Sequence, residues 1–344
     1  MKKTWILITI LLISVLAFSA CSKQNSDTKD ATDVNETETK TDANNKTEAD
    51  DKTEDTTVVE NADDENQTAD AALTIIYESE EGPIEVPADP KRIVVLNSFV
   101  SGSVMAFDTD IVGVDSWAMA NPRYAPFLEE AVEVSDQGLE KIIELNPDLI
   151  IAAPTNNNID KLKQIAPTVV YTYGKVDYLT QILEVGKLLN RGEEAQAWID
   201  DFKARAQKAG EDVKAVIGDE ATISVVESFE KQLYVFGDNW GRGTEIIYQE
   251  MKLNMPEKVK EMALEAGYYA LSPEVLPEYA GDYVIFSKNA SADNSFQETE
   301  TYQNIPAVKN NRVFEFDAAE FYFNDPITLD YQLQAFTDYL LGSE

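Results

Sequence analysis

Two similar α/β lobes joined by one long helix, with a cleft between them, are the fold this sequence predicts. Three observations carry that expectation: two stretches that match when laid over each other, a strand start at a similar distance before each, and a helical period between the halves. The matching stretches are "EKIIELNPDLIIAAP" from Glu140 and "EVLPEYAGDYVIFSK" from Glu274. In both, an aspartate eight residues on, Asp148 or Asp282, opens a short apolar run. Each reads as a short helix, a tight turn at Asn146-Pro147 or Ala280-Gly281, and a buried strand. "RIVVL" from Arg92 and "TISVV" from Thr222 supply the first strand of each half, 48 and 52 residues ahead of the two glutamates. Strands alternating with helical patterns at this spacing define α/β lobes.

The connector is expected over residues 177–218. Ile182, Leu183, Val185, Leu188 and Leu189, then Ala195, Trp198, Ile199 and Phe202, keep a helical period, with one break available at Asn190-Arg191-Gly192. The N-terminal lobe then spans 72–176 and the C-terminal lobe 219–344. Two lobes on one connector leave a cleft between them, where small ligands usually bind. A long helix is stiffer than a hinge of strands, so lobe motion is expected to be small.

The first 71 residues have a different character. Residues 1–20 read as a secretory signal: Lys2 and Lys3 precede an apolar run from Trp5 to Phe18, and Ser19 and Ala20 lead into Cys21. That run is too short, and too soon followed by polar sequence, to make a comfortable spanning helix. Cys21 is the only cysteine and stands where a bacterial lipobox places the lipidated residue, with Phe18 where leucine is usual. A lone exported cysteine has no internal disulfide partner, and lipidation accounts for it. From Ser22 to Ala71 there are 16 acids and 5 bases and almost no large apolar residue, a composition that favours a disordered tether. About 50 such residues reach on the order of 40 Å, enough to hold a folded body off a membrane.

Charge and composition exclude several functions. The chain carries a formal charge of −35; the tether accounts for −11 and the signal for +2, so the body keeps −26. Nucleic acid and anionic lipid are not drawn to such a surface. There is no histidine, so Ser-His-Asp, Cys-His and histidine-containing zinc sites are excluded. "GDNWGRG" lacks both the Walker lysine and the dinucleotide glycine spacing. A carboxylate-dependent hydrolase needs a recognisable pair, and 63 acids make any one pair uninformative. Binding is favoured over catalysis, with no cofactor and no protein-bound metal.

One segment interrupts the acidic pattern. "LYVFGDNWGRGTEIIYQ", Leu233 to Gln249, places Trp240 and Arg242 on either side of Gly241. If extended, residues two apart face the same way, so both side chains meet one cleft. Thr244 is expected to cap the helix that follows. Ordinary alternatives stand beside this reading: Trp240 as a cap on the lobe, and Arg242 paired with a nearby acid such as Glu245.

With these features in hand, the chain resembles the siderophore-binding lipoproteins of Gram-positive ABC importers, most closely the ferric hydroxamate-binding group. The likeness covers roughly residues 84–341 and rests on "PADPKRIVVL", "NPDLII", "IAPTVVYTYGKVDYL", "LYVFGDNWGRGTEIIYQ", "YAGDYV" and "FYFNDPITLDY". It implies the helical-backbone substrate-binding fold and a monomer anchored by lipid to the outer face of the cytoplasmic membrane. It also implies partners, an ABC permease and its ATPase. The family pattern places Tyr234, Trp240 and Arg242 in the ligand cleft, Tyr322 where tryptophan is frequent, and Tyr173 as the N-lobe aromatic contact. Phe99 and Trp117, in loops after N-lobe strands, are weaker candidates, and all these rings have core or rim packing as the alternative. Glu140 and Glu274 correspond to the family's permease-docking acids, with helix-start acids favoured by the helix dipole as the alternative. Iron would enter only inside the siderophore. One arginine and several rings suit a neutral or cationic ferric trihydroxamate better than an anionic complex. A catecholate or citrate-type siderophore or a corrinoid is the competing ligand class. Arg242→Ala or Trp240→Ala is expected to weaken binding without unfolding the lobe.

Overall fold

The structure, a computed structural model, describes residues 73–230 and 232–342. The signal segment, Cys21 and the tether lie outside the described residues. A hairpin of β1 (Thr74–Ser79) and β2 (Gly82–Pro87) comes first and was not anticipated from the sequence. It is fastened to the N-terminal lobe by buried Tyr77, whose hydroxyl lies 2.9 Å from that of Tyr171.

The N-terminal lobe is a parallel sheet of β3 (Ile93–Val95), β4 (Ile111–Val114), β5 (Val132–Glu133), β6 (Leu149–Ala152) and β7 (Thr168–Val170). Its order is β5-β4-β3-β6-β7. β3, β6 and β7 are buried throughout, as strands covered on both faces must be. The intervening helices are α1 (Ser98–Ala106), α2 (Ser116–Met119), α3 (Leu139–Glu144) and α4 (Ile159–Leu162).

The C-terminal lobe repeats half of this plan. β8 (Ile223–Phe229), β11 (Tyr283–Lys288) and β12 (Val313–Asp317) are parallel, like β3, β6 and β7. On the other side of β8 the repeat ends: β9 (Gln232–Phe236) and β10 (Tyr268–Leu271) run antiparallel, giving the order β10-β9-β8-β11-β12. The aligned aspartates explain why the halves look alike in sequence. Asp148 accepts from the backbone N–H groups of Lys91 and Arg92 at 2.7 and 3.0 Å, just before β3. Asp282 accepts from the N–H and hydroxyl of Thr222 at 2.9 and 3.0 Å, just before β8. In each lobe one carboxylate fastens the turn before β6 or β11 to the start of the neighbouring strand, β3 or β8.

The connector is two helices, α5 (Tyr178–Leu188) and the 26-residue α6 (Gly192–Ile217), parted at the predicted break. At 1.5 Å per residue α6 is about 39 Å long. Glu193 and Glu194 in its first turn and Lys214 in its last complement the helix dipole. α7 (Glu257–Ala263), α8 (Glu300–Gln303), α9 (Pro306–Lys309) and α10 (Ala318–Phe321) belong to the C-terminal lobe, and α11 (Pro326–Leu341) ends the described chain. α11 packs on both α6 and α1 and so returns to the N-terminal lobe. Its N-cap, Asp325, sits against Gly102 of α1, where a Cβ would fall 1.9 Å from the carboxylate. Buried Tyr124 donates to Asp325 at 2.5 Å, a second tie across the lobes.

Strand alternation sorts the core. Ile93, Val95, Leu149 and Ile151 face inward with Ile223, Val225 and Ile285 in one cluster that runs through α5, α6 and α11. Val94 and Ile150 point to an outer N-lobe core, and Val226, Val284 and Phe286 to an outer C-lobe core. The architecture is therefore two α/β lobes that share a central apolar core. Among the described residues no helix is long and apolar enough to cross a membrane.

Candidate ligand cleft

All seven sequence-predicted cleft residues line one cavity of about 340 Å³ between the lobes: Phe99, Trp117, Tyr173, Tyr234, Trp240, Arg242 and Tyr322. The N-lobe rings stand beyond the C-terminal ends of parallel strands, where open α/β sheets place ligands. Asn97, after β3, caps α1 by accepting from the N–H of Phe99 at 3.2 Å. Asp115, after β4, caps α2 by accepting from the N–H of Trp117 at 2.9 Å. Phe99 and Trp117 therefore occupy first turns of helices rather than the loops expected, each two residues after its cap. Tyr173 follows β7 and lies 4.3 Å, ring to ring, from Phe99. Trp117 and Tyr173 remain 47% and 40% exposed, more than a core role allows.

The "GDNWGRG" segment is not extended. Gly241, Arg242 and Gly243 have φ of 70°, 57° and 77°, three successive left-handed residues that coil the loop. A Cβ on Gly241 would lie 2.4 Å from the Tyr322 carbonyl oxygen, and one on Gly243 2.2 Å from the Phe336 ring, so neither site admits a side chain. Trp240 and Arg242 still reach the same cavity, by coiling rather than by strand alternation. Thr244 is not a helix cap: its own backbone is helical and its side chain makes no capping bond. Its hydroxyl instead donates to the Gly241 carbonyl at 2.8 Å and accepts from the Trp240 N–H at 3.2 Å, bracing the loop. The helix that follows, Glu245–Glu250, is a π-helical turn, a form that recurs beside functional sites.

Arg242 is paired, but not with Glu245. Its Nε and Nη2 donate to the two oxygens of Glu227 at 3.0 and 2.9 Å. Ser287 donates to the same carboxylate at 2.5 Å. The Glu227 side chain is wholly buried and that of Arg242 is 13% exposed. Nη1 donates to the Trp240 carbonyl at 3.1 Å, so two of the five guanidinium N–H groups stay available. Phe236 and Tyr322 each place a ring 5.0 Å from the guanidinium carbon. Glu245 is buried elsewhere, accepting from the Gly241 N–H and Asn324. This pairing revises the expectation for Arg242→Ala, which would strand a buried carboxylate, a loss that typically costs about 3–5 kcal/mol of stability.

Cross-lobe rings bound the cavity. Trp117 stacks on Tyr322 at 5.6 Å, and Tyr173 meets Trp240 edge to face at 5.9 Å. Burial pushes the Tyr322 phenol up to about 12, so it remains a neutral donor. Glu227, Phe229, Phe236 and Tyr268 complete the wall, and the sequence reading missed all four. Glu227 did leave a signal, as the lone acid in the apolar run of β8. Glu140 and Glu274 lie away from the cavity, each exposed in the first turn of a short helix, α3 and the 3₁₀ helix Pro273–Glu278. Among the described residues, no group of three or more His, Cys, Asp or Glu is placed to hold a metal ion.

Two lobes on a helical connector with an aromatic cavity between them define a substrate-binding protein. The chain belongs to the periplasmic binding protein family, whose model matches residues 93–320. It is 34% identical over 288 residues to the iron(3+)-hydroxamate-binding protein FhuD of Bacillus subtilis, covering 81% of this chain and 91% of that one. It is likewise 34% identical to the iron(3+)-hydroxamate-binding protein YxeB of the same organism, over 77% of this chain and 84% of that one. Staphylococcus aureus FhuD2 with bound ferrioxamine B has a similar structure, with a TM-score of 0.70 and 31% identity over 74% of this chain and 99% of that one.

Proposed function

We propose that this protein captures a ferric hydroxamate siderophore between its lobes and delivers it to an ABC permease, as a lipoprotein anchored through Cys21 on the outer face of the cytoplasmic membrane. The observation that carries the ligand class is the charge of the cavity. Among the described residues its only charged wall residues are Arg242 and Glu227, and they neutralise each other. A triply negative tris-catecholate would enter without a net counter-charge, whereas a neutral trihydroxamate needs only aromatic surface and a few donors. The two free guanidinium N–H groups and the Tyr322 hydroxyl are such donors, suited to hydroxamate oxygens. Iron stays wholly coordinated by the siderophore. The names of the similar hydroxamate-binding proteins support the same class.

Glu140 and Glu274, exposed at equivalent places in the duplicated plan, are proposed to meet basic residues on the two permease halves. The ligand class is tested by tryptophan quenching, because Trp117 and Trp240 both line the cavity. Ferrioxamine B and ferrichrome should quench at low concentration and ferric enterobactin should not. Tight binding of the anionic complex alone would overturn the reading.

A further inference from the structure

A second cavity, of about 900 Å³, adjoins the first and shares Phe99, Tyr173 and Trp240 as walls. The Tyr173–Trp240 contact is thus a partition between two chambers of different chemistry. Where the first chamber is aromatic and neutral, the second is lined by Asp177, Asp238, Glu245, Glu250 and Glu265 against Lys175 and Lys252. Several of these groups are already engaged. Asp177 caps α5, Glu245 is buried in its own hydrogen bonds, and Lys175 is paired with Glu80 at 3.2 Å. Glu250 accepts from Tyr178 at 3.0 Å through one oxygen, which leaves the other. Among the described residues, no hydrogen bond or ion pair engages the side chains of Asp238, Glu265 or Lys252. The uncommitted balance is negative. At the same wall the side-chain nitrogen of Gln181 is buried without a partner, a donor that calls for an acceptor from a ligand.

We propose that this second chamber receives the free arm of a linear ferric trihydroxamate, its protonated amine lying against Asp238 and Glu265 and an amide carbonyl accepting from Gln181. The iron centre stays against Arg242 and the rings of the first chamber. The protein thereby selects linear, cationic complexes over cyclic, neutral ones. The arm passes at the partition, where Tyr173 is 40% exposed. This selectivity rests on the proposed function and adds a subsite to it.

The test uses two probes with the same iron centre: ferrioxamine B, which carries the amine, and its N-acetylated form, which does not. Each is titrated by tryptophan quenching into the wild-type protein and into the double variant Asp238→Asn, Glu265→Gln. The wild type should bind the amine form about tenfold more tightly, the size expected of a charge-assisted contact, and less so at high salt. The variant should bind both forms alike, with the wild-type affinity for the acetylated one. Among the described residues neither carboxylate has a hydrogen-bond or ion-pair partner, so an unchanged melting temperature is expected alongside. Equal binding of both forms by the wild type, or a preference that survives in the variant, overturns the subsite alone. Failure of the wild type to bind either form overturns the proposed function with it.

Discussion

Glu227→Gln removes one charge from the cleft wall while keeping the shape of the side chain. Glu227 is wholly buried and holds Arg242 by two bonds, so the variant leaves a guanidinium with 13% exposure and no counter-charge. Removing one partner of a buried pair costs about 3–5 kcal/mol, and the retained amide oxygen places the expected loss near the lower end, about 3 kcal/mol. In a body of this size each kcal/mol moves the melting temperature by about 2–4 °C, so a fall of about 6–12 °C is expected by calorimetry. The cavity also becomes net positive. With an effective dielectric of about 20, a charge about 7 Å from Arg242 gains roughly 2 kcal/mol per unit. Ferric enterobactin should then bind more than about tenfold better than it does to the wild type, while ferrichrome changes little. A variant that melts within about 2 °C of the wild type and still rejects the anionic complex would refute the claim that this ion pair sets the charge of the cleft.

Two further predictions follow from other buried and exposed acids. Burial raises the pKa of Asp325, so the folded state holds its proton to higher pH than the unfolded chain does. Stability is therefore drained as pH rises from the unfolded value near 4 towards the raised one. Asp325→Asn keeps a good N-cap and removes this drain, so its melting temperature should gain on the wild type as pH rises through that window; a difference independent of pH would contradict it. Glu140→Ala with Glu274→Ala should abolish siderophore-dependent iron uptake by cells while quenching titrations stay unchanged, and undiminished uptake would end the docking proposal.

Much of the fold was legible because its signals are local. Buried parallel strands read as continuous apolar runs, and the aspartates at 148 and 282 stand at matching distances because they perform the same fastening. Trp240 and Arg242 were legible too, as residue types out of keeping with an acidic chain, whereas Tyr173, Tyr234 and Tyr322 entered through the likeness to the siderophore-binding group. What escaped depends on contacts distant in sequence or on handedness. The partner of Arg242 is fifteen residues upstream on another element, and no spacing rule connects a coiled loop to the end of β8. Glycines at 241 and 243 announce backbone freedom but not that Arg242 between them is left-handed as well. The antiparallel turn of β9 and β10 breaks the duplicated plan where the aligned stretches say nothing. Nor does the sequence reveal that α11 crosses back to α1, since the deciding contact is a missing Cβ at Gly102.

The return of α11 also bears on when this chain can fold. The inner faces of both sheets are covered by α5, α6 and α11, and α11 contributes Leu329, Leu333, Phe336 and Leu340 from the last sixteen-residue helix. A polypeptide that has emerged only as far as β12 has both sheets but an open core, and the tie from Tyr124 has no carboxylate to reach. Neither lobe is sealed until α11 has emerged, so the inner faces of both sheets stay open for as long as α11 is missing. For a protein proposed to cross a membrane before it works, late sealing keeps the chain threadable until the last helix arrives and closes both lobes at once.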